Sequence, residues 1–108
     1  MPALEERIRV AMKSLRVNQS RLWSRIEAMG AHGATPAGGC NRQALTDEDK
    51  AGRDLFISWC EAVDLSVRVD EIGNIFARRE GTQALPPVMT GSHLDTQPSG
   101  GRFDGILY

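Results

Sequence analysis

Apolar positions in this chain keep helical spacing through its first half and then change period. Leu4, Ile8, Ala11, Met12 and Leu15 fall three or four residues apart, and Glu5 stands four before Arg9, which predicts an amphipathic helix over residues 3–16. Leu22, Trp23, Ile26 and Met29 predict a second helix from Gln19 to Met29, with Asn18 as its N-cap and Gly30 closing it. Thr46 caps a third helix, whose first-turn acids Asp47, Glu48 and Asp49 suit the positive end of the helix dipole. Leu55, Phe56, Trp59, Cys60 and Val63 form its predicted buried side.

From there the period is two. Leu65, Val67 and Val69 alternate with Ser66, Arg68 and Asp70, the mark of a half-buried strand. Glu71 to Asn74 turns around Gly73 and leads into a second strand, Asn74 to Arg79, so the two should pair as a hairpin. Residues 81–87 read as a loop. Val88, Met89 and Thr90, between Pro86-Pro87 and Gly91, predict one more strand, brief and buried. Helices followed by a hairpin and a further strand imply an α/β layer architecture, in which sheet-end loops commonly hold ligands. No repeat or low-complexity segment interrupts this order.

Composition narrows the classes. Hydrophobic content of 41% and charged content of 25% suit one small globular domain. A net charge of -1 argues against nucleic acid as a partner. Residues 1–45 hold seven basic and three acidic side chains; the remainder holds six and eleven, a mild bias toward cations. No apolar run is long enough to span a bilayer, and no signal core follows Met1, so a cytoplasmic protein without a membrane partner is expected. The basic face of the first helix suits a transit segment, but Glu5 and Glu6 favour an extra surface helix or frayed end. Cys40 and Cys60 lack C-x-x-C spacing, and Cys60 reads as a small buried hydrophobe.

The chemistry gathers in V-M-T-G-S-H-L-D-T-Q-P-S-G-G-R-F-D-G, residues 88–105. His93 and Asp95 are two apart, so extended backbone puts both side chains on one face. Gln97 to Gly101 are turn residues, able to bring Asp104 back towards His93. Imidazole with carboxylates suits zinc or a similar divalent ion, although Asp104-Gly105 also reads as a plain turn. His32 reads as an exposed loop histidine and Trp23 as a packing residue.

G-S-H-L-D-T followed by G-G-R-F-D-G closely resembles the metal-binding segment of M20-type metallohydrolases. The nearest branch is that of the N-carbamoyl-L-amino-acid hydrolases, with the allantoate amidohydrolases and β-ureidopropionases. Residues 33–42 (G-A-T-P-A-G-G-C-N-R), 44–56 (A-L-T-D-E-D-K-A-G-R-D-L-F) and 69–78 (V-D-E-I-G-N-I-F-A-R) resemble the same branch. The resemblance implies that residues 18–108 are the N-terminal portion of a zinc-aminopeptidase-like catalytic domain. Its helices would pack on a sheet with a β-hairpin and a metal-loop strand, and residues 1–17 would be an added helix or tail.

It further implies two divalent metal ions (zinc, or manganese, cobalt or nickel), with His93 ligating one and Asp104 bridging both. Asp95 would orient His93 as part of the catalytic machinery, and Asn41 and Arg42 would touch substrate or position a neighbouring loop; read from the residues alone they are a structural turn with a solvated arginine. Metal-bound hydroxide would attack the carbamoyl or ureido carbon of a small-molecule substrate, releasing amino acid, ammonia and carbon dioxide. In the family the general base and remaining ligands lie further along the chain and the intact enzyme is a homodimer, so this chain alone should bind metal weakly and turn over little. Two alternatives stand beside this. One is an aminopeptidase or aminoacylase of the same superfamily, against which G-G-R-F-D-G argues. The other is a truncated binding module with an unpaired strand edge at Tyr108.

Overall fold

The structure, a computed structural model, describes residues 3–104. Its elements are α1 (Leu4–Ser14), α2 (Gln19–Ala31), α3 (Asp47–Glu61), β1 (Ser66–Val69) and β2 (Ile75–Arg78), the α/β order that the periodicities predict. Gly105 and the strand edge expected at Tyr108 lie outside the described residues. No helix among the described residues is long and apolar enough to cross a membrane.

Helix α1 forms where its stripe predicts, yet none of its residues is buried. Leu4, Ile8 and Met12 all remain exposed. Helix α2 starts as expected, with the Asn18 side chain accepting the Arg21 amide at 2.9 Å. Its end differs from expectation: the helix runs through Gly30 to Ala31, and His32 is the C-cap. Gly30 serves packing instead. A Cβ there would stand 3.2 Å from the Arg102 carbonyl oxygen, so its bare Cα lets another stretch of chain cross the helix.

Thr46 and Asp49 start α3 reciprocally. The Thr46 hydroxyl accepts the Asp49 amide at 3.2 Å, and the Asp49 carboxylate accepts the Leu45 amide at 3.1 Å. That pairing explains why a carboxylate only 7% exposed is tolerated. Cys60 is buried on this helix as expected, and burial pushes its thiol above the usual range against the opposing pull of Arg25. Val63 departs from expectation and is exposed, because α3 ends at Glu61 and helical spacing no longer governs its direction.

Strands β1 and β2 pair antiparallel, Val67 opposite Ala77 and Val69 opposite Ile75, and α3 packs on β1. Asp70 stitches the turn by accepting the Ile72 and Asn74 amides at 3.1 and 2.8 Å and the Asn74 side-chain amide at 2.9 Å. The strand predicted at Val88 is not formed. Val88 and Met89 are exposed, since no strand lies beside them among the described residues to take up their backbone hydrogen bonds.

Few apolar side chains are buried: Met29, Cys40 and Cys60. Arg42, Asp49 and Thr96 are buried with them, so the interior is largely a hydrogen-bonded one. Gly52 of α3 lies over it, where an added Cβ would meet Arg42 Cδ at 3.0 Å and Met29 Sδ at 3.1 Å. Helix propensity alone favours alanine at Gly52 by about 1 kcal/mol. Crowding reverses the sign: Gly52→Ala is expected to destabilise by about 1–3 kcal/mol in thermal melts.

The hairpin supplies a pH test. Hydrogen bonds, first from the Asn74 side chain, hold the Asp70 carboxyl below the usual carboxylate range. Its folded pKa is therefore lower than the unfolded value of about 3.9, so its stabilisation is complete above that value and is lost as pH falls through the lower folded one. In an NMR acid titration the Asn74 amide should keep its folded shift at pH values where a free aspartate is already half protonated.

Candidate metal site

His93 and Asp95 meet as their spacing predicts. His93 Nδ1 lies 2.9 Å from the Asp95 carbonyl oxygen and 3.2 Å from its carboxylate Oδ1. Both neighbours are acceptors, so Nδ1 must carry the proton. Nε2 makes no hydrogen bond among the described residues and keeps its lone pair in the neutral ring. The side chains are 52% and 44% exposed, too open for the ion pair itself to add much stability.

The backbone around this pair is held from the interior. The Arg42 amide donates to Thr96 Oγ1 at 2.7 Å, and the Thr96 amide donates to the Arg42 carbonyl at 2.8 Å. Arg42 Nε donates to the carbonyl of Leu94, the residue between His93 and Asp95, at 3.0 Å. Nη1 of the same guanidinium donates to the carbonyls of Met29 and His32 at the end of α2, at 2.9 and 2.7 Å, and to Cys40 Sγ at 3.1 Å. Nη2 is buried without a partner among the described residues.

Of the residues proposed for substrate contact, Asn41 is exposed, its Oδ1 accepting from the Gln43 side chain at 3.1 Å. Arg42 is fully buried, with its Nε and Nη1 turned onto main-chain carbonyls and Cys40. This corrects the expectation of a solvated arginine: its partners come from distant parts of the chain. His32 contributes its carbonyl rather than its ring.

The turn after Thr96 folds Asp104 back, but onto the turn itself. Asp104 Oδ2 accepts the Gln97 amide at 3.4 Å and lies so close to Gly100 that a Cβ there would stand 3.0 Å away. The Cys40 amide donates to the Gly100 carbonyl at 3.0 Å, and Trp23 of α2 meets Phe103 edge to face at 5.4 Å, fixing the turn against the rest. Among the described residues no three His, Cys, Asp or Glu side chains converge as a metal-holding group. The donors present fit one metal ligand with its orienting carboxylate, and do not by themselves fill the four positions of a zinc ion.

Comparison with known proteins decides the family. The chain is 56% identical over 94 residues to an N-carbamoyl-L-amino-acid amidohydrolase of Rhizobium meliloti, a match covering 85% of this chain and 22% of that protein. A crystal structure of a hydantoinase/carbamoylase family amidase from Burkholderia ambifaria superposes with a TM-score of 0.82 at 55% identity, over 85% of this chain and 23% of that one. This chain belongs to the hydantoinase/carbamoylase family. A ureidoglycolate hydrolase of Arabidopsis thaliana is a more distant relative, 34% identical over 87% of this chain and 20% of that protein. The family's named members are thus hydrolases, and the chain spans about a fifth of the length of the relatives it matches. A scan against family models found no match.

Thr96 and Cys40 lie within the quoted motifs but carry no role there, unlike their neighbours Asp95 and Asn41. No local pattern marks either as buried, because the two are brought together from over fifty residues apart, Thr96 Oγ1 meeting the Arg42 amide and the Cys40 carbonyl. Thr96→Val keeps the shape but strands the Arg42 amide, and should lower stability by about 1–3 kcal/mol, measured by denaturant unfolding.

Proposed function

We propose that this chain supplies part of the active centre of a binuclear-metal amidohydrolase that cleaves a non-peptide C–N bond of N-carbamoyl amino acids or related ureido compounds. The observation that carries the reading is the His93–Asp95 pair: with Nδ1 hydrogen-bonded to Asp95, Nε2 presents its lone pair outward as a metal ligand does. Asp104 would bridge the two ions, as in the M20 pattern. The relatives' names support the substrate class, since N-carbamoyl amino acids and ureidoglycolate share a nitrogen–carbonyl–nitrogen group.

A divalent ion bound there would supply a water that ionises near neutral pH. The chain's own residues hold and aim. His93 provides the ligating nitrogen, Asp95 keeps the proton on Nδ1, and exposed Asn41 is available to a substrate. The general base and remaining ligands are not among these residues, so turnover belongs to a chain of the relatives' length.

A chimera tests this reading. Residues 18–104 of this chain, replacing the matching segment of the Rhizobium relative, should retain hydrolysis of an N-carbamoyl amino acid. In that chimera His93→Ala should abolish activity and lower bound metal, and Asp95→Ala should weaken metal binding by about 10–100-fold. Full activity in the His93→Ala chimera sinks the assignment.

A further inference from the structure

We propose that Arg42 is a positioning residue for the His93–Asp95 pair, acting through the carbonyl of Leu94. This rests on the reading of His93 as a metal ligand. The geometry is specific. Among the described residues, the Leu94 carbonyl sits between the two members of the pair and accepts Arg42 Nε at 3.0 Å. The peptide on the far side of Asp95 is held by the reciprocal bonds between the Arg42 main chain and Thr96, at 2.7 and 2.8 Å. One residue therefore grips the main chain on both sides of Asp95, the group that fixes the His93 ring.

The other end of the same guanidinium is fixed to the carbonyls of Met29 and His32. The planar fork thus sets the distance between the end of α2 and the 93–95 segment, and a lysine cannot reproduce it. An ammonium can sit at the negative end of α2, but as a compact group it does not reach Leu94 in the same pose. Arg42 is fully buried and makes no contact with solvent, so its effect on the metal ligand is indirect, through the main chain.

Arg42→Lys separates this role from plain structural support. In the metal-free 108-residue chain, labelled with nitrogen-15 and held at slightly alkaline pH, His93 should show the Nδ1-protonated tautomer in the wild type. Arg42→Lys should move its ring nitrogen shifts towards the Nε2-protonated form that free histidine favours in water. The same change should weaken zinc binding about tenfold or more. Asn18→Ala, which removes the α2 cap far from the pair, should leave the tautomer unchanged. An unchanged His93 tautomer in Arg42→Lys overturns the proposal. Should that variant not fold, exchange of the Arg42 Nε proton in the wild type decides: slowed exchange supports the grip on Leu94, and exchange at the free-arginine rate refutes it. A tautomer shift in a chain whose wild type binds no zinc supports the positioning role while removing the metal assignment of His93.

Discussion

A buried guanidinium against the carbonyl end of a helix holds this structure together. Buried arginines ordinarily need a carboxylate, because an unpaired charge away from water costs several kcal/mol. Arg42 has instead the main-chain carbonyls of Met29 and His32, which close α2 and carry the helix's partial negative charge. Leu94 and Cys40 supply the remaining acceptors. Three separate stretches of chain thereby converge on one side chain, and Gly52 of α3 leaves room for its stem. The arrangement is not saturated among the described residues, where Nη2 lacks an acceptor.

From that constraint follows an uneven molecule. Segments tied to Arg42, namely the end of α2, residues 40–42 and residues 94–100, have buried atoms and long-range hydrogen bonds. Helix α1 and residues 79–92 have no buried side chain. Cooperative stability depends on burial, so the first group should open with the global transition and the second at little cost. The polar interior also suits a chain in which Met29, Cys40 and Cys60 are the buried apolar residues: what apolar area cannot supply here, charge-assisted hydrogen bonds do.

What could be read from the sequence was what is decided locally. The Asn18 and Thr46 caps, the α3 acids and the switch of period into the hairpin all act within a few residues, and each stands where the pattern puts it. The His93–Asp95 contact is also local, a consequence of two residues of extended chain. Gly30 followed a local rule and broke it, because the crossing of Arg102 outweighs the usual preference for glycine beyond a helix end. Arg42 stood out in its motif, but its burial was illegible for the same kind of reason: nothing near it in sequence announces partners 52 and 54 residues away. The family, by contrast, was legible in ordered motifs, since these carry chemistry regardless of how the remaining chain packs.

The exposed stretch before His93 bears on the proposed site. Leu85, Val88 and Met89 are apolar and uncovered, and no strand pairs with them among the described residues. A strand cannot be stable on its own, so this stretch can become one only when other backbone lies alongside it. His93 is four residues beyond Met89, at most about 14 Å of extended chain. Backbone that pairs with residues 88–90 would therefore lie beside the segment that leads to the imidazole. On the reading proposed for His93, strand pairing at residues 88–90 and metal binding at the imidazole would be physically coupled, because one short segment of chain serves both.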